Sequence, residues 1–329
     1  RPVEAGVLPG VRERYGAGQK VDCRSAFGRA LFSVIKTNRE TDGPPIAVLD
    51  CDLAASLKTE GIGRAYAGSF VECGIQEHNA ATVAGALARA GILTFFAEFG
   101  VFGIDETYGQ HRMLDLNHAP LKLVCTHCGL DVGEDGKTHQ CIDYISLLAN
   151  LFGYGLLIPA DANQTDAMTR WIATTPGPFA LAMGRSKVPV IADREGKALF
   201  GEEYRFIYGK ADWVRRGTQA TIVTCGTLVA RAVEAQAKLG ERGLSVGVLN
   251  LTCPKDLDAE ALRMAAATGC LVTYEDHHVQ TGLGSLVGAF LAENGLACRF
   301  HRLGITDYGR SADPETLYKA QGLDADSLV

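Results

Sequence analysis

The stretch at 71–91, VECGIQEHNAATVAGALARAG, sets two carboxylates, Glu72 and Glu77, around a glycine and then runs into small apolar residues. Such a segment can pack very closely, and close packing is where an ionisable group is expensive. Other groups able to do chemistry follow short apolar runs. Asp50, Asp52 and Ser56 come after PIAVL, His127 after LKLVC, and Arg185 after PFALAM. In the intervening GLDVGEDGKTHQ, Asp135 and His139 are spaced so that both could face one substrate. Each of these alone reads as well as a solvated loop residue, because loops are normally polar. Gathered on one rim, the carboxylates, imidazoles, hydroxyl and guanidinium would suit an anionic polar substrate.

Only a particular scaffold brings the ends of apolar runs together. From about 20 to 190, strand-like runs (PIAVLDCDL, ILTFFAEF, LKLVCTH, GLLIPA, PFALAMG) alternate with helical ones. The latter include RSAFGRALFSVIKTN, GIQEHNAATVAGALARA, IDETYGQHRMLDLN, CIDYISLLANL and NQTDAMTRWIATT. That alternation predicts a parallel sheet covered by helices, whose ligands bind beyond the carboxyl ends of the strands. Residues 191–208 are charged and lack apolar period, and read as a connector. The pattern restarts with ATIVTCGTLVARAVEAQAKLGERGLSVGVLNL, followed by CLVTYEDH, GSLVGAFLAENG and CRFHRLGI. The expected organisation is an α/β protein with an arm at 1–19, a domain at 20–190, a linker at 191–205 and a smaller domain at 206–329. Each domain is expected to be a mostly parallel sheet flanked by helices.

Composition sets outer bounds. At 329 residues the chain has room for two domains, taking roughly 150 residues per domain. Its 47% apolar and 21% charged content is that of an ordinary globular protein. A net charge of −6 without a Lys/Arg-rich run argues against nucleic acid. No apolar stretch reaches the roughly 18–20 residues needed to span a bilayer. Ten cysteines without dense spacing fit reduced thiols and a cytoplasmic location. Cys125, His127, Cys128, His139 and Cys141 raise the question of zinc. However, structural zinc sites pair close-spaced ligand couples around a compact loop, whereas Cys125 ends an apolar strand, where free Cys is common. The glycines of GLGSLVG have the wrong spacing for a dinucleotide fingerprint, and GEDGKTHQ is not a phosphate loop, because Asp131 stands where the motif needs a glycine five residues before Gly136-Lys137-Thr138. A helix start with close packing is the expected meaning of the former.

GIQEHNAATVAGALA, CTHCGLDVGEDGKTHQ and ALAMGRSK together resemble the C-terminal half of transketolases, thiamine-diphosphate enzymes, over essentially the whole chain. The resemblance implies a pyrimidine-binding domain followed by the family's C-terminal domain. It implies that Glu77 is the glutamate that hydrogen-bonds the cofactor's aminopyrimidine, and that Ala80, Ala81, Ala84 and Gly85 let its helix approach a partner subunit. It further implies a phosphate clamp of Arg24, Ser56, His127 and Arg185, four residue types that suit a dianionic tetrahedral group. Asp135 corresponds to the residue reading the acceptor's α-hydroxyl, and His139 to the one beside the donor's C1 hydroxyl and carbonyl. Asp52 falls near the thiazolium side and Phe99 on the pyrimidine, with Phe102 as its neighbour. Departures are Cys73, His78 and the loss of an expected tyrosine in FGVFGIDETYGQHRM.

The family holds the cofactor's diphosphate through Mg2+ on a Gly-Asp-Gly motif, which this sequence lacks. The implied protein is therefore one subunit of a split transketolase. It would work with a separate N-terminal-half polypeptide that holds the Mg2+, as a heterotetramer with two of each, and would be inactive alone. The implied reaction moves a two-carbon ketol unit between phosphorylated ketose and aldose sugars through an adduct on the cofactor. Rival readings are a split enzyme for apulose phosphate or sulfonated sugars, a 1-deoxyxylulose-phosphate-synthase-like subunit, and a 2-oxoacid dehydrogenase β-type subunit. A non-catalytic regulatory or redox-sensing subunit is the rival of another class.

Overall fold

The computed structural model describes residues 6–329, so the first five residues of the expected arm lie outside the described residues. From residue 6 the arm is docked. Leu8 N donates to Asn38 Oδ1 at 2.9 Å, Arg12 to the Tyr204 carbonyl at 2.9 Å, and Tyr15 N to Asn163 Oδ1 at 3.0 Å.

Asp22 ends strand β1 (Lys20–Asp22) and caps α1 (Cys23–Glu40), its carboxylate accepting from Ser25 N at 2.9 Å. That bond satisfies one of the helix's orphan amides. The chain continues through β2 (Ile46–Asp50), α2 (Ala54–Leu57), α3 (Glu60–Ala65), β3 (Phe70–Glu72), α4 (Glu77–Arg89) and β4 (Leu93–Phe99). Next come α5 (Tyr108–Leu116), β5 (Lys122–Thr126), α6 (Tyr144–Ala149), β6 (Gly155–Leu157), α7 (Ala162–Thr174) and β7 (Phe179–Ala182). Strands β2 to β7 form a six-stranded sheet in the order β3-β2-β4-β5-β7-β6, with every pairing parallel. Its central strands β4 and β5 are buried along their whole length, as expected of a sheet covered on both faces. Strand β8 (Lys187–Pro189) pairs antiparallel with β1 and ties the end of this region to its start.

No helix or strand interrupts 190–211, although Phe200 is fully buried there. The second sheet contains β9 (Asp212–Arg215), β10 (Ala220–Thr224), β11 (Val246–Asn250), β12 (Cys270–His278) and β13 (Arg299–Ile305). Its order is β13-β12-β10-β11-β9, parallel except for the edge strand β9. Helices α8 (Leu228–Glu241), α9 (Ala259–Ala266), α10 (Leu283–Glu293) and α11 (Pro314–Ala320) accompany it. The glycines of GLGSLVG do start a helix, α10. A side chain at Gly282 would collide with Glu275 and His277, which fill the space against its first turn.

Two expectations change. The helix read across 104–117 opens instead as a wide π-helical turn at Val101–Glu106 before α5. The backbone is pressed onto the sheet there, since a Cβ at Gly103 would lie 2.8 Å from Glu98 Cβ and 3.0 Å from Cys125 Sγ. The small residues of α4 also face inward rather than toward a partner. Ala80, Ala81 and Ala84 are fully buried in this chain's own core, and any side chain on Gly85 would run into Leu114 of α5. Small side chains allow close approach on whichever face the fold buries.

Candidate active site

Five neighbouring strands, β3, β2, β4, β5 and β7, deliver the candidate residues to one carboxyl edge. Glu72 closes β3 and Glu77 opens α4. The loop after β2 carries Asp52 and Ser56, β4 ends on Phe99, His127 follows β5, and Arg185 follows β7. Arg24 joins them from the first turn of α1. Asp50, read as a rim candidate, is instead fully buried. It accepts from Leu53 N at 2.8 Å and Thr59 Oγ1 at 2.7 Å, and so shapes the loop that holds Asp52.

The cationic end is tightly built. Arg24 Nη1 donates to the Ser56 carbonyl at 2.9 Å, with Nε 3.7 Å from Asp22. Burial lowers its pKa, and Arg185 lowers it further. Arg185 Nε lies 3.9 Å from Asp135 Oδ2, and its Nη1 3.8 Å from Glu134 Oε2. Half-exposed pairs at such distances contribute little, about 0–1 kcal/mol. The Arg185 guanidinium therefore keeps capacity for a better anion, and Arg24 Nε is buried without a hydrogen-bond partner.

His127 stands between them, with Nε2 3.9 Å from Asp135 Oδ2. Its backbone is left-handed, φ 57°, a conformation that costs about 1–2 kcal/mol outside glycine. Compensating contacts hold it there: the imidazole stacks on Phe99 at 3.6 Å between centroids, and Nδ1 is 2.8 Å from Thr126 Oγ1. Burial, then Arg24, Arg185 and His139, push its pKa down to about 2. The ring is thus a neutral hydrogen-bonding group rather than a third cation.

Phe99 and Phe102 form a stacked pair, 6.1 Å apart at 16°, and His139 stands edge-on to Phe102 at 5.4 Å. Thr138 Oγ1, 3.0 Å from Nδ1, steadies His139. On the opposite side, Asp52 adopts φ 65° and its N donates to Glu72 Oε1 at 2.8 Å, as Gly74 N does at 2.9 Å. Glu72 therefore organises the turn leading to Glu77. Among the described residues the side chains of Asp52 and Glu77 make no hydrogen bond to the clamp or ring groups. They share its rim, not its contacts.

The sequence reading passed over Glu98. This fully buried carboxyl accepts from Phe99 N at 2.8 Å through Oε1, while Oε2 has no partner. Burial raises its pKa to about 8, with Asp50 and Glu77 adding to the effect. Its signal was a lone acid inside the apolar strand ILTFFAEF. Nor do the cysteines and histidines weighed for zinc assemble as one set. His127 and His139 belong to the ring cluster, whereas Cys141 meets Asp105 and Asp143, with the ligand atoms within 4.8 Å of one another. Burial and the neighbouring Asp143 raise Asp105 to about 7.

Residues 19–190 match the family model described as the pyrimidine-binding domain of transketolase, and residues 209–328 match that of the transketolase C-terminal domain. The chain belongs to the transketolase family. Among its relatives is a Methanocaldococcus jannaschii protein, provisionally named a transketolase C-terminal section, 31% identical over 93% of each chain. A Phocaeicola vulgatus protein, named as one of the subunits of an apulose-4-phosphate transketolase, is 28% identical, over 95% of this chain and 96% of its own. By contrast, this transketolase-family chain spans about half of mouse transketolase-like protein 2, 49% of that protein at 28% identity. A solved structure described as a split gene transketolase, an inactive β4 tetramer, superposes with a TM-score of 0.81. It is 31% identical, covering 94% of this chain and 96% of that one.

Proposed function

We propose that this chain is the pyrimidine-binding, substrate-gripping subunit of a split transketolase that transfers a two-carbon ketol unit between phosphorylated sugars. The observation that carries the reading is the convergence of Arg24, the Ser56 loop, His127, Asp135 and Arg185 on the rim that also presents Glu77. Full-length likeness to a split gene transketolase supports the subunit character.

These residues fit the pyrimidine half of thiamine diphosphate: the Phe99–Phe102 pair offers a flat apolar surface, and the half-buried Glu77 offers a carboxylate. When bound, thiamine diphosphate supplies a carbon nucleophile that also accepts the electron pair of a cleaved C–C bond. Mg2+ and the diphosphate would be held by a partner polypeptide. Glu77 would share a proton with a ring nitrogen of the pyrimidine, with Asp52 on the thiazolium side. Arg24, Ser56, His127 and Arg185 would hold the sugar's terminal phosphate, fixing the chain's direction across the site. Asp135 would accept from the acceptor's α-hydroxyl. His139 would give or take a proton at the donor's hydroxyl and carbonyl oxygens, a role typically contributing about 10²–10⁴-fold.

A specialised sugar is the second reading, favoured by the likeness to the Phocaeicola vulgatus apulose-4-phosphate transketolase protein. The test is copurification with a diphosphate-binding subunit, followed by ketol-transfer assays with thiamine diphosphate and Mg2+. Xylulose, ribose and apulose phosphates would be compared as substrates. Turnover of one of them by the mixture, and by neither polypeptide alone, is the expected result; a mixture inert on all of them rejects the proposal.

A further inference from the structure

The clamp residues belong to the first sheet, yet the loop carrying Asp135 is held by side chains from the second. Asp276 of β12 accepts from Leu130 N at 2.8 Å through Oδ1 and from Tyr318 Oη at 2.6 Å through Oδ2. Both residues are buried, Asp276 at 8% and Tyr318 at 2% exposure. Gly129 is left-handed, φ 81°, and any Cβ there would strike the Asp276 carboxylate, so the loop backbone lies directly against it.

Tyr318 is fixed in turn. The Arg231 guanidinium lies 4.2 Å above its ring and makes paired hydrogen bonds of 2.8 and 2.7 Å to Glu315, one turn earlier on α11. On the far side of Leu130, the Asp131 carbonyl accepts from Arg185 N at 3.1 Å, and Asp131 Oδ2 accepts from Ser186 N at 2.7 Å. The segment before α11 adds a third hold, because Ser311 Oγ donates to the Glu134 carbonyl. A continuous run of bonded groups therefore leads from α8 and α11 through Asp276 to the backbone beneath Arg185 and Asp135.

We infer that Asp276 and Tyr318 are positioning residues for anionic substrates: they set the loop at 129–135 so that Arg185 grips the terminal phosphate while Asp135 meets the acceptor's α-hydroxyl. This rests on the clamp reading above and gives the second domain a part in selecting substrate. A carboxylate spanning two donors from separate elements fixes both in direction as well as distance, and misplacement by about 1 Å is enough to degrade a bidentate grip.

The test uses the complex copurified with its diphosphate-binding subunit, with ribose 5-phosphate and unphosphorylated ribose as acceptors. Arg185→Ala serves as the control, expected to raise KM for ribose 5-phosphate about tenfold or more while changing KM for ribose less than about threefold. Tyr318→Phe keeps the ring under Arg231 but loses the hydroxyl, and should show the same selective rise at about three- to tenfold. Asp276→Ala should exceed it. Asp276→Asn, whose amide oxygen still accepts from Leu130 N, should recover most of the affinity. A merely structural role would lower the yield of folded complex or affect both acceptors alike. If Arg185→Ala discriminates the acceptors and Tyr318→Phe does not, the positioning role is rejected while the clamp stands. If Arg185→Ala also fails to discriminate, the clamp reading itself falls. Should Asp276→Ala not fold, Tyr318→Phe and Asp276→Asn still decide the matter.

Discussion

Glu77, half-buried at the rim, lies close enough to help raise the pKa of Glu98, which is sealed in β4. Replacing Glu77 with Ala removes the rim carboxylate but nothing from the core, so the copurified complex should still assemble. Its turnover should fall by about 10²-fold or more, the scale of a lost acid–base group; wild-type kcat in that variant would rule out the assigned role. Glu98 has a measurable signature of its own. Its pKa rises from 4.5 to about 8, so the folded chain keeps a proton that the unfolded chain has already lost in that interval. Stability must then decline as pH rises from about 4.5 to about 8, by at most about 1.4 kcal/mol per pH unit from this group. Glu98→Gln should flatten that slope in urea titrations at several pH values, and an unchanged slope would mean that the carboxyl is ionised when folded. Sequence reading found Glu77, because its setting and the GEDGKTHQ loop together are distinctive. It passed over Glu98, because a single acid in an apolar run does not disclose what surrounds it.

The clamp depends on how α1 and α2 meet. Glycine within a helix normally costs about 0.5–1 kcal/mol relative to alanine, yet α1 has Gly28 in its interior. A Cβ there would press into the Lys58 carbonyl, at the residue that ends α2 with φ 68°. Gly28→Ala should thus destabilise by about 1–3 kcal/mol, because overpacking outweighs the propensity gain. It should also raise KM for phosphorylated acceptors by shifting the Ser56 carbonyl off Arg24. A higher urea midpoint would show that α2 yields freely. Most elements were legible from period and apolar runs, since β4, β5 and α7 bury nearly everything that reads as apolar. The π-helical turn at Val101–Glu106 and the inward face of α4 were not legible. Both depend on which neighbour presses on the chain, and local sequence does not name the neighbour.

Across the whole chain, one hydrophobic cluster contains residues of both sheets, among them Leu123, Ala182, Val223 and Leu271. Buried Gln164 joins the two regions: Nε2 donates to Asp212 Oδ2 at 2.8 Å and Tyr204 Oη at 2.9 Å, while Oε1 accepts from Asn250 Nδ2 at 3.1 Å. Gln164→Leu strands buried Asn250 Nδ2 and the Ala160 amide, which also donates to Oε1 at 2.8 Å, at about 1–3 kcal/mol for each unsatisfied group, while Tyr204 Oη keeps its 3.2 Å bond to Asp212. The expected result is one cooperative unfolding transition at lower urea; two separated transitions would show that the sheets unfold independently. From sequence alone came the alternation that dictates parallel α/β layers, the residue types on the rim, and the motif wording shared with transketolases. These are local or one-dimensional properties, carried by period and identity. Tertiary structure alone decided that His127 is neutral and stacked, that Asp50 is a buried loop anchor, and that Asp276 reaches the clamp loop from the other sheet. Burial and through-space contact set these features, and residues far apart in the chain supply both.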